Sequence, residues 1–331
     1  MPQYERRNDP PLAPAFAKDP VQEDFLERLN LLLAPHAQAE DTETEERFPT
    51  LHVVGAPRSG TSLLYQVLAS GLDISYVSNL VAAFWLAPSY GLQLAKKLGV
   101  DRLQSNFSSR FGRTEGVAEP HEFGYFWNHH LGYPDLAERG PEHDDAIDWE
   151  RLRRVLVTMS HRAGRPVAFK PMLLVWHLET MLRHMPGTCY VWIRREQRDT
   201  ALSLLKMRQS LYGTLDRWAS LKPVAAAGLD GEPPWRQVAA QVVLLENHLE
   251  DVHRRLGDEH MLAVRYERLC ADPVGVLTDV RSMMGAKGHA PEILTPDLQP
   301  FTQMRNEALA GEYGDRVDAA IAEFSERFAR T

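Results

Sequence analysis

The chain has little cysteine, with only Cys189 and Cys270 among its 331 residues. Two thiols are too few for a disulfide framework or a cysteine-based zinc cluster. The first residues, Met1 to Arg7, also lack the apolar core of a secretory signal peptide. These absences together predict a cytoplasmic, reducing location.

A long hydrophobic run is also missing. The most apolar stretch, residues 80–94, covers about fifteen residues and is interrupted by Pro88, whereas a membrane-spanning helix needs about 20 apolar residues. We therefore predict no membrane span, and we interpret this stretch as a buried or pocket-lining helix.

The chain lacks an excess of positive charge. Its 45 Asp and Glu residues outnumber its 37 Lys and Arg residues, which gives a net charge of −8. This balance argues against nucleic acid or an anionic membrane as the main partner. Any polyanionic ligand must therefore be held by cations concentrated at one site.

The chain does contain a regular alternation of short β-rich runs and helical patterns from Leu51 onward. Strands are predicted at 51–55, 166–170, 188–193 and 260–265, and helices at 61–70, 79–97, 149–162, 174–185, 198–210, 234–256, 273–284 and 315–329. The alternation predicts an α/β fold in which a mostly parallel central sheet is flanked by helices, with ligands at the carboxyl ends of the strands. We interpret residues 1–49 as an N-terminal arm with one helix and an acidic linker, and 50–331 as the main domain.

The loop Gly55–Ser62 follows the first predicted strand and precedes a helix. Its two glycines have the spacing of a nucleoside-triphosphatase loop, but Thr61 stands where such a loop has lysine, and the cation is Arg58 instead. We predict that the loop still binds an anion, because a helix N-terminus has free N–H groups and a favourable dipole. Gly60 permits close approach, and Ser59, Thr61 and Ser62 supply hydroxyl groups.

A second anion site is predicted after the strand at 188–193. Arg195 follows this strand directly, and Ser203 lies eight residues later, about one turn into the next helix. A guanidinium and a hydroxyl at one strand end can together hold a phosphate by charge-assisted hydrogen bonds. Arginines at a strand end more often form surface salt bridges, but the loop at 55–62 favours the phosphate interpretation.

With these motifs in order, residues 50–285 resemble the sulfotransferases that use 3′-phosphoadenosine 5′-phosphosulfate (PAPS), in their bacterial-type branch. The motifs that carry the resemblance are Pro57–Ser62, then Arg195 with Ser203, and then Val264–Leu269 followed by Asp272-Pro273. The resemblance implies a P-loop-like three-layer fold, with Arg58, Ser59, Gly60, Thr61 and Ser62 at the 5′-phosphosulfate. It also implies that Arg195 and Ser203 hold the 3′-phosphate and that Tyr266 lies near the adenine.

The resemblance implies transfer of a sulfuryl group from PAPS to a hydroxyl group of a small-molecule acceptor, with Arg58 as an electrostatic clamp. The family's cytosolic branch takes its general base from a Lys-Thr-His run, but this chain has Lys170 followed by Pro171. Other branches use a glutamate in a segment that resembles residues 119–127. We therefore expect Glu119 or Glu122 to be the base, with His121 next, and Lys170 to assist the sulfonate.

Two other functions stay open at this point. A P-loop small-molecule kinase requires a lysine at position 61, which is Thr61 here. A non-catalytic nucleotide-binding protein with the same fold would bind PAPS without turnover. No set of His, Asp and Glu residues has metal-ligand spacing, so we assign no metal. The aromatic segments 84–86 and 123–127 are predicted to form the walls of the acceptor pocket.

Overall fold

The computed structural model describes residues 12–329 of the chain. Its strands form one parallel sheet in the order β2-β3-β1-β4-β5. They are β1 (Thr50–Val54), β2 (Ser75–Tyr76), β3 (Val167–Phe169), β4 (Thr188–Arg194) and β5 (Met261–Arg265). The predicted α/β class with a parallel sheet is confirmed, and the added strand β2 is too short to show a sequence periodicity.

Helices cover both faces of this sheet. In the described residues they are α1 (Pro20–Glu40), α2 (Thr61–Gly71), α3 (Asn79–Ala82), α4 (Pro88–Lys97), α5 (Gly124–Leu131), α6 (Glu142–Ala146), α7 (Trp149–Ala163), α8 (Leu178–His184), α9 (Gln197–Tyr212), α10 (Pro234–Leu256), α11 (Tyr266–Ala271), α12 (Pro273–Ala286) and α13 (Glu307–Arg327). None of the helices between residues 12 and 329 combines the length and apolarity needed to cross a bilayer.

Strand β1 lies at the centre of the sheet, and all five of its residues are buried. Leu51 and Val53 belong to the core on one face, whereas Val54 belongs to the core on the other. Because both faces are covered, even the polar residues Thr50 and His52 of this strand are buried. The two cores hold the strand in place, and the loop that follows it therefore starts from a rigid support.

The strand order brings two loops together. The chain leaves β1 between β3 and β4, and the later strands are added on opposite sides of it. Open α/β sheets bind ligands at the point where the strand order reverses in this way. The residues that follow β1 and β4 consequently lie at one edge of the sheet.

Two predicted helices are divided in the structure. The helix predicted at 79–97 is divided into α3 and α4, because Pro88 has no N–H group for a continuous helix and instead begins a new one. The helix predicted at 174–185 begins as a 3₁₀ turn, Leu173–Trp176, and α8 follows it. Helix α5 was not predicted, because its apolar residues stand in a short aromatic segment without a clear period.

The described part of the N-terminal arm, residues 12–49, is in contact with the rest of the chain. The Asn30 side chain on α1 donates to the Ala83 carbonyl at 2.7 Å and accepts from the Leu86 N–H at 2.8 Å. After α1, Glu46 pairs with Arg153 of α7 at 3.1 Å. Residues Met1 to Arg7, on which the expected lack of a signal peptide depends, lie outside the described residues.

Candidate functional site

The loop after β1 has the backbone geometry of an anion-binding turn. Arg58 and Gly60 both have left-handed backbones, with φ values of 73° and 109°. A Cβ atom on Gly55 would lie 2.7 Å from the Ile193 carbonyl oxygen of β4, so the loop packs directly on the neighbouring strand. Glycine is therefore needed at position 55 for close approach and at position 60 for backbone conformation.

The end of β5 also reaches this loop. A Cβ atom on Gly60 would lie 2.5 Å from Cδ2 of Tyr266, the first residue of α11. The Tyr266 hydroxyl accepts a hydrogen bond from the Met304 N–H at 3.1 Å, and burial raises the pKa of this hydroxyl. The loop therefore sits against a neutral tyrosine ring.

The first turn of α2 presents hydrogen-bond donors to the loop. Gly60 is the N-cap residue and has no side chain with which to accept from the first N–H groups of the helix. The Ser59 hydroxyl is fully buried and has no hydrogen-bond partner within residues 12–329. The Ser62 hydroxyl accepts from the Lys170 ammonium group at 2.8 Å. An anion would satisfy these groups.

Arg58 joins the loop to α9. Its Nε donates to the Ser203 hydroxyl at 3.1 Å, and its guanidinium lies over the Phe111 ring, 5.2 Å from the centroid. Desolvation by the surrounding protein lowers the pKa of Arg58, and the nearby positive charge of Arg195 lowers it further. A bound anion would offset both effects.

Arg195 lies on the other side of the loop, and its side chain is only 6% exposed. Its guanidinium stacks over the Tyr266 ring at 4.6 Å and donates to the carbonyl oxygens of Arg58, at 3.4 Å, and of Met304. Its nearest carboxylate, that of Asp199, is 3.7 Å away. The Arg195 Nε is buried and has no hydrogen-bond partner in the part of the chain that the structure describes. The guanidinium can therefore still donate a hydrogen bond to an anionic ligand.

Lys170 and Glu122 extend the site toward the end of β3. Lys170 follows β3, is 3% exposed, and forms an ion pair with Glu122 Oε1 at 2.6 Å. Since the same ammonium group contacts Ser62, it connects the carboxylate to the first turn of α2. A Cβ atom on Gly112 would lie 2.4 Å from Glu122 Oε1, so the loop that precedes this segment packs against the carboxylate.

Glu119 has a different environment, although it is only three residues from Glu122. It is 5% exposed, and its carboxylate accepts from Gln66 Nε2 at 2.9 Å. It also accepts from the Ser105 hydroxyl and from the Asn106 N–H, each at 3.1 Å. These bonds tie the loop at 105–106 to α2, so the Glu119 carboxylate is directed into the protein.

His121 lies between the two carboxylates in the chain. Its Nδ1 accepts from the Phe123 N–H at 2.8 Å, which fixes the proton of the neutral ring on Nε2. The residue keeps an exposed edge, but the protein atoms around it still desolvate the ring and lower the pKa of His121 to about 4. The ring is therefore neutral at pH 7 and directs a donor outward.

The structure brings most of the predicted site residues together at one edge of the sheet. They are Arg58, Ser59, Gly60, Thr61, Ser62, Lys170, Arg195, Ser203 and Tyr266, with Glu122 beside them. The predicted pocket walls Phe123 and Trp127 are instead fully buried in the core. Phe111, which lies beside Arg58, was missed because it belongs to an irregular loop without a motif.

Within residues 12–329, no three or more His, Cys, Asp or Glu side chains are grouped so as to hold a metal ion. Arg58, Arg195 and Lys170 bring three positive charges to the site.

Comparison with known proteins agrees with this fold. A model of the sulfotransferase family matches residues 49–289. The fold is similar to that of the sulfotransferase STF1 of Mycobacterium tuberculosis H37Rv, with 17% identity, a TM-score of 0.53, and coverage of 92% of this chain and 86% of that one. It is also similar to the sulfotransferase STF9 of Mycobacterium avium, with 16% identity, a TM-score of 0.50, and coverage of 94% and 87%.

No curated protein sequence matches the chain. The two structural similarities support the P-loop-like fold, and the family model covers both the loop after β1 and the end of β5. The chain therefore belongs to the sulfotransferase family.

Proposed function

We propose that this sulfotransferase moves a sulfuryl group from PAPS to a hydroxyl group of a small or lipophilic acceptor. The observation that carries the proposal is the pair of anion sites at one sheet edge. Each contains a buried donor without a partner among the described residues, namely Ser59 Oγ in the loop and Arg195 Nε beside it. Buried polar atoms are rarely left unpaired, so two such donors beside a helix N-terminus and a strand end support an anion site here.

The two sites fit the two phosphate positions of PAPS. The N–H groups at the start of α2, with the loop hydroxyls, suit the 5′-phosphosulfate. Arg195 and Ser203 suit the 3′-phosphate, and the Tyr266 ring lies beneath the Arg195 guanidinium. The family resemblance implies that the adenine lies near this tyrosine. Ser203 now accepts from Arg58, so ligand binding would exchange this bond for bonds to phosphate.

PAPS supplies the sulfuryl group, and the residues of the chain orient it and neutralise its charge. Sulfuryl transfer resembles phosphoryl transfer, in which positioning and cations provide most of the catalysis. Arg58 stays protonated and acts as an electrostatic clamp at the 5′ side. Lys170, in contact with Ser62, places a second positive charge beside the same helix turn.

We infer that Glu122 is the general base. Its side chain is 36% exposed and lies next to the Lys170 ammonium group, at the open side of the loop. His121 is a weaker candidate because its Nδ1 lone pair is already used by the Phe123 N–H and its Nε2 carries the proton. A base must present a free lone pair to the acceptor hydroxyl, and a partly exposed carboxylate can do so.

We propose a positioning role for Glu119 in place of catalysis. Its carboxylate accepts three kinds of donor from α2 and from residues 105–106, and it is almost completely buried. Because a buried carboxylate is stabilised only when it is hydrogen-bonded, these contacts both hold the charge and fix the loop. An acceptor molecule would have to displace them before it could reach Glu119.

The test uses the full chain. Binding of 3′-phosphoadenosine 5′-phosphate and of adenosine 5′-phosphate is measured by calorimetry, and sulfuryl transfer is followed with sulfur-labelled PAPS and a panel of a phenol, an aliphatic alcohol and a sugar. We expect tighter binding of the 3′-phosphorylated nucleotide and label on at least one acceptor. Binding without labelled product would favour a non-catalytic protein. Phosphoryl transfer from a nucleoside triphosphate, without use of PAPS, would favour a kinase.

A further inference from the structure

Residues 13–18, which we call the strap, connect two helices that border the site. At one end, the Ala13 N–H donates to the Leu211 carbonyl of α9 at 2.8 Å. At the other end, the Lys18 ammonium group contacts the Tyr125 hydroxyl of α5. The strap therefore spans from α9, which carries Ser203, to α5, which follows Glu122.

Phe16 lies in the middle of the strap and is 2% exposed. Its carbonyl oxygen accepts from an Arg113 guanidinium nitrogen at 2.9 Å, and its ring lies under the guanidinium groups of Arg110 and Arg113 at 4.6 and 5.4 Å. The Phe16 ring centroid is 5.8 Å from that of Phe111. Phe16 is thus enclosed by the loop segment 110–113.

The loop segment 110–113 lies between Arg58 and Glu122. Phe111 packs under the Arg58 guanidinium, and the next residue, Gly112, packs against the Glu122 carboxylate. Phe111 has a left-handed backbone, with φ of 53°, which is unfavourable for a bulky residue and persists only where its surroundings impose it. Phe16 supplies part of those surroundings.

We propose that Phe16 is a positioning residue that holds Phe111 as the apolar wall on which the body of the acceptor rests. The inference rests on the proposed function, since it takes Arg58 and Glu122 as the two sides between which the acceptor hydroxyl reacts. A flat, apolar alcohol or phenol is the acceptor class that a half-buried aromatic ring at this position favours. The strap is therefore part of the acceptor site.

Hydrogen exchange in the full chain tests the positioning without any acceptor. The amides of Arg110 and Arg113 bond to each other's carbonyl groups at 2.7 and 3.1 Å. Phe16→Ala should speed their exchange by about tenfold or more, because the loop loses its support. The matched control is Phe25→Ala, whose side chain is 57% exposed on α1. Unchanged exchange in a folded Phe16→Ala protein would overturn the inference.

Steady-state kinetics test the link to the acceptor, with 2-naphthol as the probe. Phe16→Ala should raise the KM for 2-naphthol by about tenfold, lower kcat less, and leave the Kd for 3′-phosphoadenosine 5′-phosphate within about twofold. Phe16→Leu, which keeps most of the buried volume, should restore the KM and remains usable if the alanine variant is unstable.

The two hypotheses fail in different ways. If neither nucleotide binding nor sulfuryl transfer is found in the wild type, the proposed function is wrong, and the exchange result still decides the positioning role. If the wild type transfers sulfuryl groups but Phe16→Ala has a normal KM for 2-naphthol, the inference about the strap is wrong. The inference is also wrong if Phe16→Ala loses as much affinity for 3′-phosphoadenosine 5′-phosphate as for 2-naphthol, since that would show a general structural effect.

Discussion

Replacement of Arg195 should remove the ability of the protein to recognise a 3′-phosphate. The guanidinium is almost completely buried over the Tyr266 ring, and its Nε has no partner among residues 12–329. We consider Arg195→Met, because methionine keeps an unbranched apolar side chain against the tyrosine ring and deletes only the charge and the donors.

The magnitude follows from the bonds available. A hydrogen bond to a charged group contributes about 1.5–3 kcal/mol, and the guanidinium can offer two nitrogens to one phosphate, so a loss of about 3 kcal/mol is expected. This corresponds to ~10²-fold in Kd. Adenosine 5′-phosphate, which lacks the 3′-phosphate, should lose little affinity, so the selectivity between the two nucleotides should nearly disappear.

The assay is calorimetric titration of wild type and variant with both nucleotides. Arg194→Met is the matched control, because Arg194 is the preceding residue but pairs with Glu246 and Glu250, at 3.3 and 3.4 Å, away from the loop. We expect the control to keep its selectivity. If Arg195→Met still prefers the 3′-phosphorylated nucleotide by ~10²-fold, the assignment of this site is refuted.

Three further predictions concern the base, the loop and a buried carboxylate. Glu122→Gln should lower kcat by roughly 10²–10⁴-fold with normal nucleotide affinity, whereas Glu119→Gln should mainly lower stability. Steady-state kinetics and thermal unfolding separate the two effects. Equal losses of kcat in both variants would contradict our choice of Glu122 as the base. Gly60→Ala should weaken nucleotide binding at least about tenfold, because its Cβ would lie 2.5 Å from the Tyr266 ring. The control Gly213→Ala, also at positive φ but with open space around it, should lower stability alone. Burial raises the pKa of Glu246 to about 7, so the folded state binds a proton there that the unfolded state releases, and stability is lost as the pH rises from about 4.5 to 7. Glu246→Gln should therefore stabilise the protein by about 1–3 kcal/mol more at pH 8 than at pH 5 in urea unfolding, and an unchanged pH dependence would show that desolvation is not the dominant effect.

Much of the fold could be predicted from the sequence because it depends on local patterns. The apolar runs at β1 and β4 alternate with helical periods, and a glycine-containing loop between a strand and a helix has few possible conformations. The strand β2 was missed because a two-residue strand has no period. The helix at 79–97 was predicted as one because a proline such as Pro88 does not always end a helix, as Pro35 inside α1 shows.

The candidate site could be predicted only in part. Arg58 and Arg195 each follow a strand, and parallel strands end at the same edge, so their proximity follows from the fold class. The contact of Arg58 with Ser203 joins residues 145 positions apart, and only the packing of α9 on the sheet creates it.

The sequence by itself determined the parallel sheet, the loop after β1 and the cations at its edge, because strand periodicity and turn chemistry act between neighbouring residues. Only the tertiary structure distinguishes the surroundings of Glu119 from those of Glu122, which stand three residues apart in the same irregular segment. One carboxylate is directed into donors from α2 and residues 105–106, and the other meets the Lys170 ammonium group. The physical reason is that a carboxylate's environment is set by the groups packed around it, and these come from distant parts of the chain.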